Sequence, residues 1–360
     1  MLNILSWLED IAEAKHKANI ITNEQFNESV TGFNTLRSQY RKMPVTQFQE
    51  VISKSAFNTY MTDALSRAFF DQYAVVGGTW RNYTTPDTSP DLRDVVRYRR
   101  EDNHKMSRRR ATGSRKQFGT NATKEVYGAD EYSEVFEVPW EVILNDDLRE
   151  LMKMPRDMAN AAATFEDEFV SSLYNNTLSQ NYLIALGAGY AGSAQLDKAG
   201  LIAALTAMTT RYNSNGGLIQ VGSIRLVVGQ ALAYTAAELF SNLLAYGTSE
   251  SNILAKYISG FDVDPFIVPV GGNDPWYLFS DPNVVPAVTV LRLSGVNKPY
   301  VFTQESQVRT VSGTAPSALT MGSYDSGVLS YTVGTIIGGN ADISKGGLID
   351  PNGIYYSSGG

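Results

Sequence analysis

Six residues near the middle of the chain, Gly187-Ala188-Gly189-Tyr190-Ala191-Gly192, fit GxGxxG. In that spacing glycines let a backbone approach a pyrophosphate at a helix N-terminus, the chemistry of a dinucleotide cofactor. The context argues against it. Leu183-Ile184-Ala185-Leu186 follows a long helical stretch rather than a buried strand opening a βαβ unit. No Asp or Glu lies between Asp197 and Glu238 to hold a ribose. A flexible interdomain linker is the simpler reading, and no cofactor is expected. Other chemistries are bounded by residue counts. There is no Cys, and His16 and His104 are the two histidines. Thiolate sites and disulfides are excluded, imidazole-rich metal sites likewise, and a Ser-His-Asp triad would have to use one of those two. GxxxxGK followed by Ser or Thr, GxSxG and HExxH do not occur. Asp146 and Asp147 are sequence neighbours that do not face each other on a helix and read as helix N-terminal charge. Glu166-Asp167-Glu168 reads as a solvated or intersubunit face. No catalytic, cofactor or metal-binding residue is expected, and the chain reads as non-enzymatic.

The strongest charge feature is VRYRREDNHKMSRRRATGSRK. Residues 86–125 hold eleven basic and six acidic residues and only eight apolar ones, so the window is +5. The whole chain is −7, which leaves −12 for the remainder. So few apolar groups cannot offset the entropy of ordering the segment. It is expected to gain order on something else. Val96 and Tyr98 alternate with Arg97 and Arg99, a strand pattern, and Gly113-Ser114 offers a turn, together predicting a long two-stranded projection. Guanidinium forks suit carboxylates as well as phosphates. Glu101 and Asp102 within the strip, and the acidic remainder of the chain, favour another copy of the protein as partner over nucleic acid. The candidate contact residues are Arg97, Arg99, Arg100, Arg108, Arg109, Arg110, Arg115 and Lys116. A nucleic-acid-binding module using Arg97–Lys116 is the competing reading.

The elements around these residues come from periodicity. The chain has 360 residues, 43% hydrophobic and 19% charged, a globular composition. No apolar run approaches 18 residues, so no membrane span is expected. Glu9 and Asp10 in MLNILSWLEDIAEAKHK argue against a signal peptide. Helices are predicted about Ile4–Ala12 and Val51–Phe70, within an arm lacking its own core. A strand enters at Phe136–Trp140, Asn145 caps a short helix through Met152, and Pro155 opens a second helix. Met158, Ala162, Phe165, Phe169 and Leu173 form one apolar stripe along that second helix. Beyond it, helix is predicted over Leu196–Tyr212, Gln230–Leu244 and Asn252–Ile258. Strands are predicted at Ile224–Val228, Phe266–Val270, Tyr277–Phe279 and Val288–Leu293, followed by β structure with a polar loop near Gln304–Gly322.

Three segments in this order carry a resemblance: VFEVPWEVILNDDLRELMKMPRDMANAAATFEDEFVSSLYN, PWYLFSDPNVVPAVTVLRLSGVNKPYV and YTVGTIIGGNADISKGG. They resemble the strand, Asn-Asp-Asp-Leu helix and spine helix, the Trp-Tyr-Leu-Phe strand and the closing strand of the major capsid protein of tailed bacteriophages, the Hong Kong 97-type fold. The likeness covers roughly residues 80–350. It implies an α+β fold with an N-terminal arm (1–79), an extended β-hairpin loop (80–130), a peripheral domain with the spine helix (131–195), an α/β axial domain (196–286) and peripheral return strands (287–360). It also implies hexamers and pentamers closing into an icosahedral shell around double-stranded DNA held without sequence-specific contacts. Separate scaffolding, portal and decoration proteins would be further partners, with assembly in the host bacterial cytoplasm and residence in the virion. Some members crosslink a loop lysine to an asparagine. Lys105, Lys116 and Lys124, with Asn340 and Asn352, stand in suitable regions without a matching motif, so crosslinking is not expected. An encapsulin-type nanocompartment shell, which resembles the same fold, is the alternative function.

Overall fold

The computed structural model describes residues 12–17, 26–27, 30–31, 57–100, 122–139, 148–212, 216–240, 257–269, 272–303, 328–340 and 347–359. They fall into two compact units. One comprises Met1–Gly77, Tyr132–Ala163 and Lys298–Thr335, the other Gly78–Glu131, Thr164–Asn297 and Ile336–Gly360. In chain order the elements are α1 (Phe57–Val76), β1 (Thr85–Ser89), β2 (Val95–Arg100), β3 (Ala122–Pro139), α2 (Leu148–Ser172), α3 (Thr177–Leu186), β4 (Ala191–Gly192) and α4 (Lys198–Thr209). There follow β5 (Ile224–Val228), α5 (Ala233–Phe240), β6 (Ile258–Val263), β7 (Trp276–Phe279), β8 (Thr289–Leu293), β9 (Tyr300–Thr303), β10 (Val328–Asn340) and β11 (Ile354–Ser357). The strands order as β1-β8-β10-β3-β2, with β9 on β10, and as β4-β11-β7-β5-β6.

The larger unit owes its core to strands that are apolar on both faces. All four residues of β7 are buried. Because successive side chains point to opposite faces, Tyr277 and Phe279 join one cluster with Tyr83, Tyr174 and Val288. Trp276 and Leu278 join another with Leu201, Met208 and Leu226. The same division holds in β11, where Ile354 and Tyr356 pack on the first side and Tyr355 on the second. Each such side chain contributes roughly 1.5–3 kcal/mol by leaving water. Helix α4 covers the second side with Leu201, Ala204 and Met208. It begins at Asp197, whose carboxylate accepts from the Gly200 N–H at 2.6 Å, satisfying a donor that the first turn leaves open. Asn176 caps α3 in the same way through the Ser179 N–H at 2.8 Å.

In the smaller unit, Phe69 and Tyr73 of α1 pack on Ala159, Ala162 and Ala163 of α2, with Val301 and Val333 alongside. Gln72 Nε2 donates to Asn160 Oδ1 at 2.9 Å beside this cluster. Strands β9 and β10 pair antiparallel from Tyr331↔Thr303 to Gly334↔Tyr300.

Several expectations change. Pro155 does not open a second helix. One 25-residue helix runs through it. A proline inside a helix loses a hydrogen bond, but this ring is buried and lines an apolar hollow with Phe69, Phe136, Met154, Met158, Val301 and Tyr331. The stretch expected to end a helix at Ile258 instead opens strand β6, parallel to β5. No strand forms at residues 266–269. There the Phe266 N–H donates to Asp264 Oδ1 at 2.9 Å, an Asx turn. The predicted strand at Ile224–Val228 is present with those bounds. The predicted helix over Val51–Phe70 is found at Phe57–Val76. Asn145, the polar loop and most of the predicted first helix lie outside the described residues.

Candidate intersubunit contact site

The predicted two-stranded projection has its root in the larger unit. Strand β2 pairs antiparallel with β3 in unbroken register from Val95↔Tyr127 to Arg100↔Ala122. Alternation sends Arg97 and Arg99 to one face and Val96 and Tyr98 to the other. Arg97 grips Asp87 of β1 with a two-pronged contact, Nε to Oδ2 at 3.0 Å and Nη2 to Oδ1 at 3.0 Å. The Tyr127 hydroxyl donates to the same carboxylate at 2.8 Å. Burial alone would raise the Asp87 carboxyl, but the donors Arg97, Tyr127 and the Thr88 N–H outweigh it and hold it below its ordinary value. Burial first, and then the Asp87 charge, push the Tyr127 phenol up to about 12. Arg99 Nη1 meets Asp350 Oδ1 at 2.7 Å, with both side chains largely shielded. Asp350 also caps the short turn at Pro351–Gly353.

Two of the predicted contact arginines therefore have carboxylate partners within their own chain. Arg100 ends β2. Arg108, Arg109, Arg110, Arg115 and Lys116 lie outside the described residues. On the opposite face, Val96 is 41% and Tyr98 69% exposed, a combination seldom left bare in a strand.

A second charged cluster was not anticipated. Glu166, expected on a solvated face, is 1% exposed. It forms an ion pair with Arg292 Nη2 at 2.8 Å and accepts a hydrogen bond from Arg81 Nη2 at 3.3 Å. Both guanidinium groups lie near the Trp80 ring, at 4.3 Å for Arg81 and 5.8 Å for Arg292, an arrangement that adds cation–π attraction. Asp167 is half-buried. Burial first, then the charges of Asp264 and Glu166, raise its carboxyl to about 7, against the pull of Arg81. Nearby, Tyr174 donates to Asp264, and Asn82 and Arg225 hold Asp262 at 3.0 Å each. Arg81 and Arg292 are 85 and more than 100 residues from Glu166 in sequence. No local pattern could have paired them. The readable signal was weaker: Glu166 follows Phe165 of the apolar stripe by one position.

Among the described residues no group of three or more His, Asp or Glu could hold a metal ion. The glycine-rich segment is not a flexible linker. Gly187 ends α3 with φ +100°, a conformation glycine adopts freely. Ala191-Gly192 then forms β4, parallel to β11. Tyr190 Oη donates to Asn352 Oδ1 at 2.9 Å. Arg211 stacks over the Tyr190 ring at 4.3 Å and donates to the carbonyls of Gly189, Pro351 and Asn352. Burial lowers its guanidinium to about 10. The segment is bound into a sheet edge by side chains far off in sequence, and its N–H groups do not open a helix.

A family model described as phage capsid protein matches residues 123–336, well over half of the chain. The chain belongs to the phage capsid protein family. No curated protein matches its sequence. Among solved structures, the capsid of an empty GTA particle superposes with a TM-score of 0.50 at 9% identity, covering 78% of this chain and 88% of that one. The capsid of Myoviridae Phage XM1 gives 0.47 at 10% identity over 78% and 90%. A virus-like particle from Pyrococcus furiosus gives 0.46 at 12% over 82% and 98%. The α+β, Hong Kong 97-type fold expected from the sequence is thus the fold of this capsid protein. Its role is that of a structural virion component, and the encapsulin reading gains no better support. Among the described residues no helix of the capsid protein is long and apolar enough to cross a membrane.

Proposed function

We propose that copies of this capsid protein form hexamers and pentamers that close into an icosahedral shell around double-stranded DNA. Family membership carries the reading. The root of the hairpin supports it, because two ion pairs anchor β2 to Asp87 and Asp350 and leave Val96 and Tyr98 bare. In this reading residues 1–79 are the arm, 80–130 the extended loop, 131–195 and 287–360 the peripheral domain, and 196–286 the axial domain. Arg100, Arg108, Arg109, Arg110, Arg115 and Lys116 are the intersubunit cations. Arg97 and Arg99 serve the contact by fixing its base. The protein carries out no catalysis and holds no cofactor. DNA is contained without base-specific contact, consistent with a net charge of −12 outside residues 86–125. Separate scaffolding, portal and decoration proteins complete the head, which is assembled in the host cytoplasm. Cryo-electron microscopy of purified particles tests the proposal. Six-fold and five-fold capsomers enclosing nuclease-protected duplex DNA are expected. Particles built of pentamers alone and filled with a cargo protein would favour the nanocompartment instead.

A further inference from the structure

Two buried polar atoms of the larger unit go without partners although their side chains close on one point. Trp80 is 6% exposed. Neither its Nε1–H nor Asp167 Oδ1 has a hydrogen-bond partner among the described residues. The first is a donor and the second an acceptor. A Cβ placed on Gly78 would stand 1.7 Å from Asp167 Oδ1 and 2.5 Å from Trp80 Cδ1, the ring carbon bonded to Nε1. The Asp167 carboxyl thus fills the place of the side chain that Gly78 lacks, beside the indole edge that bears the N–H. Leaving such a donor and acceptor unmet inside a fold is costly, so a neighbouring pair that forgoes the bond needs a cause.

The surroundings supply the cause. Glu166, beside Asp167 on α2, is paired with Arg292 and Arg81. Asp264, just past β6, accepts from the Tyr174 hydroxyl and the Phe266 N–H. Asp262 accepts from Asn82 and Arg225, and the Tyr83 and Tyr174 hydroxyls face each other at 3.3 Å. The cations and hydroxyls around Asp167 are therefore engaged by other carboxylates. Burial first, and then the charges of Asp264 and Glu166, hold the Asp167 carboxyl at about 7 against the pull of Arg81. A neutral carboxyl is a weak acceptor and a carboxylate a strong one, and the unmet donor beside it is the Trp80 N–H. We propose that Asp167 and Trp80 form a proton-operated latch, open while the carboxyl is neutral and closed when, its proton released to solvent, the carboxylate accepts the indole N–H. Closing moves the indole against the guanidinium groups of Arg81 and Arg292, which lie 4.3 Å and 5.8 Å from its ring. It also shifts the short turn Thr79–Asn82, which carries Arg81 to Glu166 and Asn82 to Asp262. The packing of that turn on α2 and on β6 then changes with pH around neutrality, in the single chain and in any assembly of it.

The indole N–H reports the latch directly. Ultraviolet resonance Raman spectra of the purified protein, less the spectrum of Trp80→Phe, isolate the Trp80 N–H band. Between about pH 5 and pH 9 that band should move from the position of an unbonded indole to that of a hydrogen-bonded one, with its midpoint near pH 7. Asp167→Asn, which cannot ionise, should abolish the titration. Glu168→Gln, at an exposed neighbour, should leave it in place. Should Trp80→Phe fail to fold by circular dichroism, the pH difference spectrum of the unaltered protein less that of Asp167→Asn reads the same change without it. A Trp80 band that stays fixed across this range, or one that titrates as before in Asp167→Asn, overturns the proposal.

Discussion

Glu166 is held by two arginines from distant parts of the chain, so its removal strands a charge. Arg292 is 6% exposed, and a buried guanidinium deprived of its carboxylate typically destabilises a fold by about 3–5 kcal/mol. Glu166→Ala is expected to lower unfolding free energy by that amount in denaturant titrations. Glu168→Ala, one turn-face away and exposed, should change it by less than about 0.5 kcal/mol. Asp167 sets a pH dependence. Its carboxyl sits at about 7 in the folded chain against 3.8 as the ordinary value. Below about pH 4 both states are protonated and the group is neutral in its effect. As pH rises toward 7 the unfolded chain ionises first, and folding stability falls; above 7 the loss is complete. Solvent screening at a half-buried site reduces this to roughly 1–2 kcal/mol. Melting temperatures at pH 5 and pH 8 should show a decline that Asp167→Asn largely abolishes. The sequence showed the acidic run but not its surroundings, since a carboxylate's environment is made by residues from other elements.

At the scale of elements, what could be read from sequence was whatever local periodicity dictates. Ile224–Val228 and Trp276–Phe279 are short apolar runs flanked by turn residues, and both are strands. Pro155 misled because proline is favoured at a helix start and disfavoured inside one, yet here it sits buried within a continuous helix, beside an apolar hollow lined by side chains from α1, β3, β9 and β10. Strand β6, Ile-Ser-Gly-Phe-Asp-Val, carries Gly260 and a register shift against β5 at Ile224/Arg225, which blurs the alternation by which strands are recognised. Gly338 shows how close β10 and β3 approach. A Cβ there would stand 1.9 Å from the Gly128 carbonyl oxygen and 2.6 Å from Ala129 Cα. Both neighbours are backbone, so only strand separation relieves the clash. Gly338→Ala should cost about 1–3 kcal/mol, seen as a lower midpoint in urea. Gly189→Ala meets nothing within 4 Å and should leave the midpoint unchanged.

The larger unit depends on contacts between its last strand and elements from the middle of the sequence. Strand β11 lies between β4 and β7, and its Ile354, Tyr355 and Tyr356 contribute to the cores on both sides of the sheet. A chain ending at Gly346 should therefore fail to give a soluble, cooperatively melting protein, measurable by fractionation and calorimetry. The order of parts along the sequence was enough to suggest the capsid fold. The placement of Arg97 and Arg99 was not, since Asp87 and Asp350 are brought to them by β1 and by the turn before β11. What remained visible from composition alone was a strip too polar to order itself and an acidic remainder to receive it. The account turns on that strip meeting another copy of the chain, and negative-stain electron microscopy of the purified protein across a concentration series tests this most directly. Closed shells of uniform diameter above a threshold concentration are expected. Monomers alone at every concentration, with or without co-expressed neighbouring gene products, would contradict it.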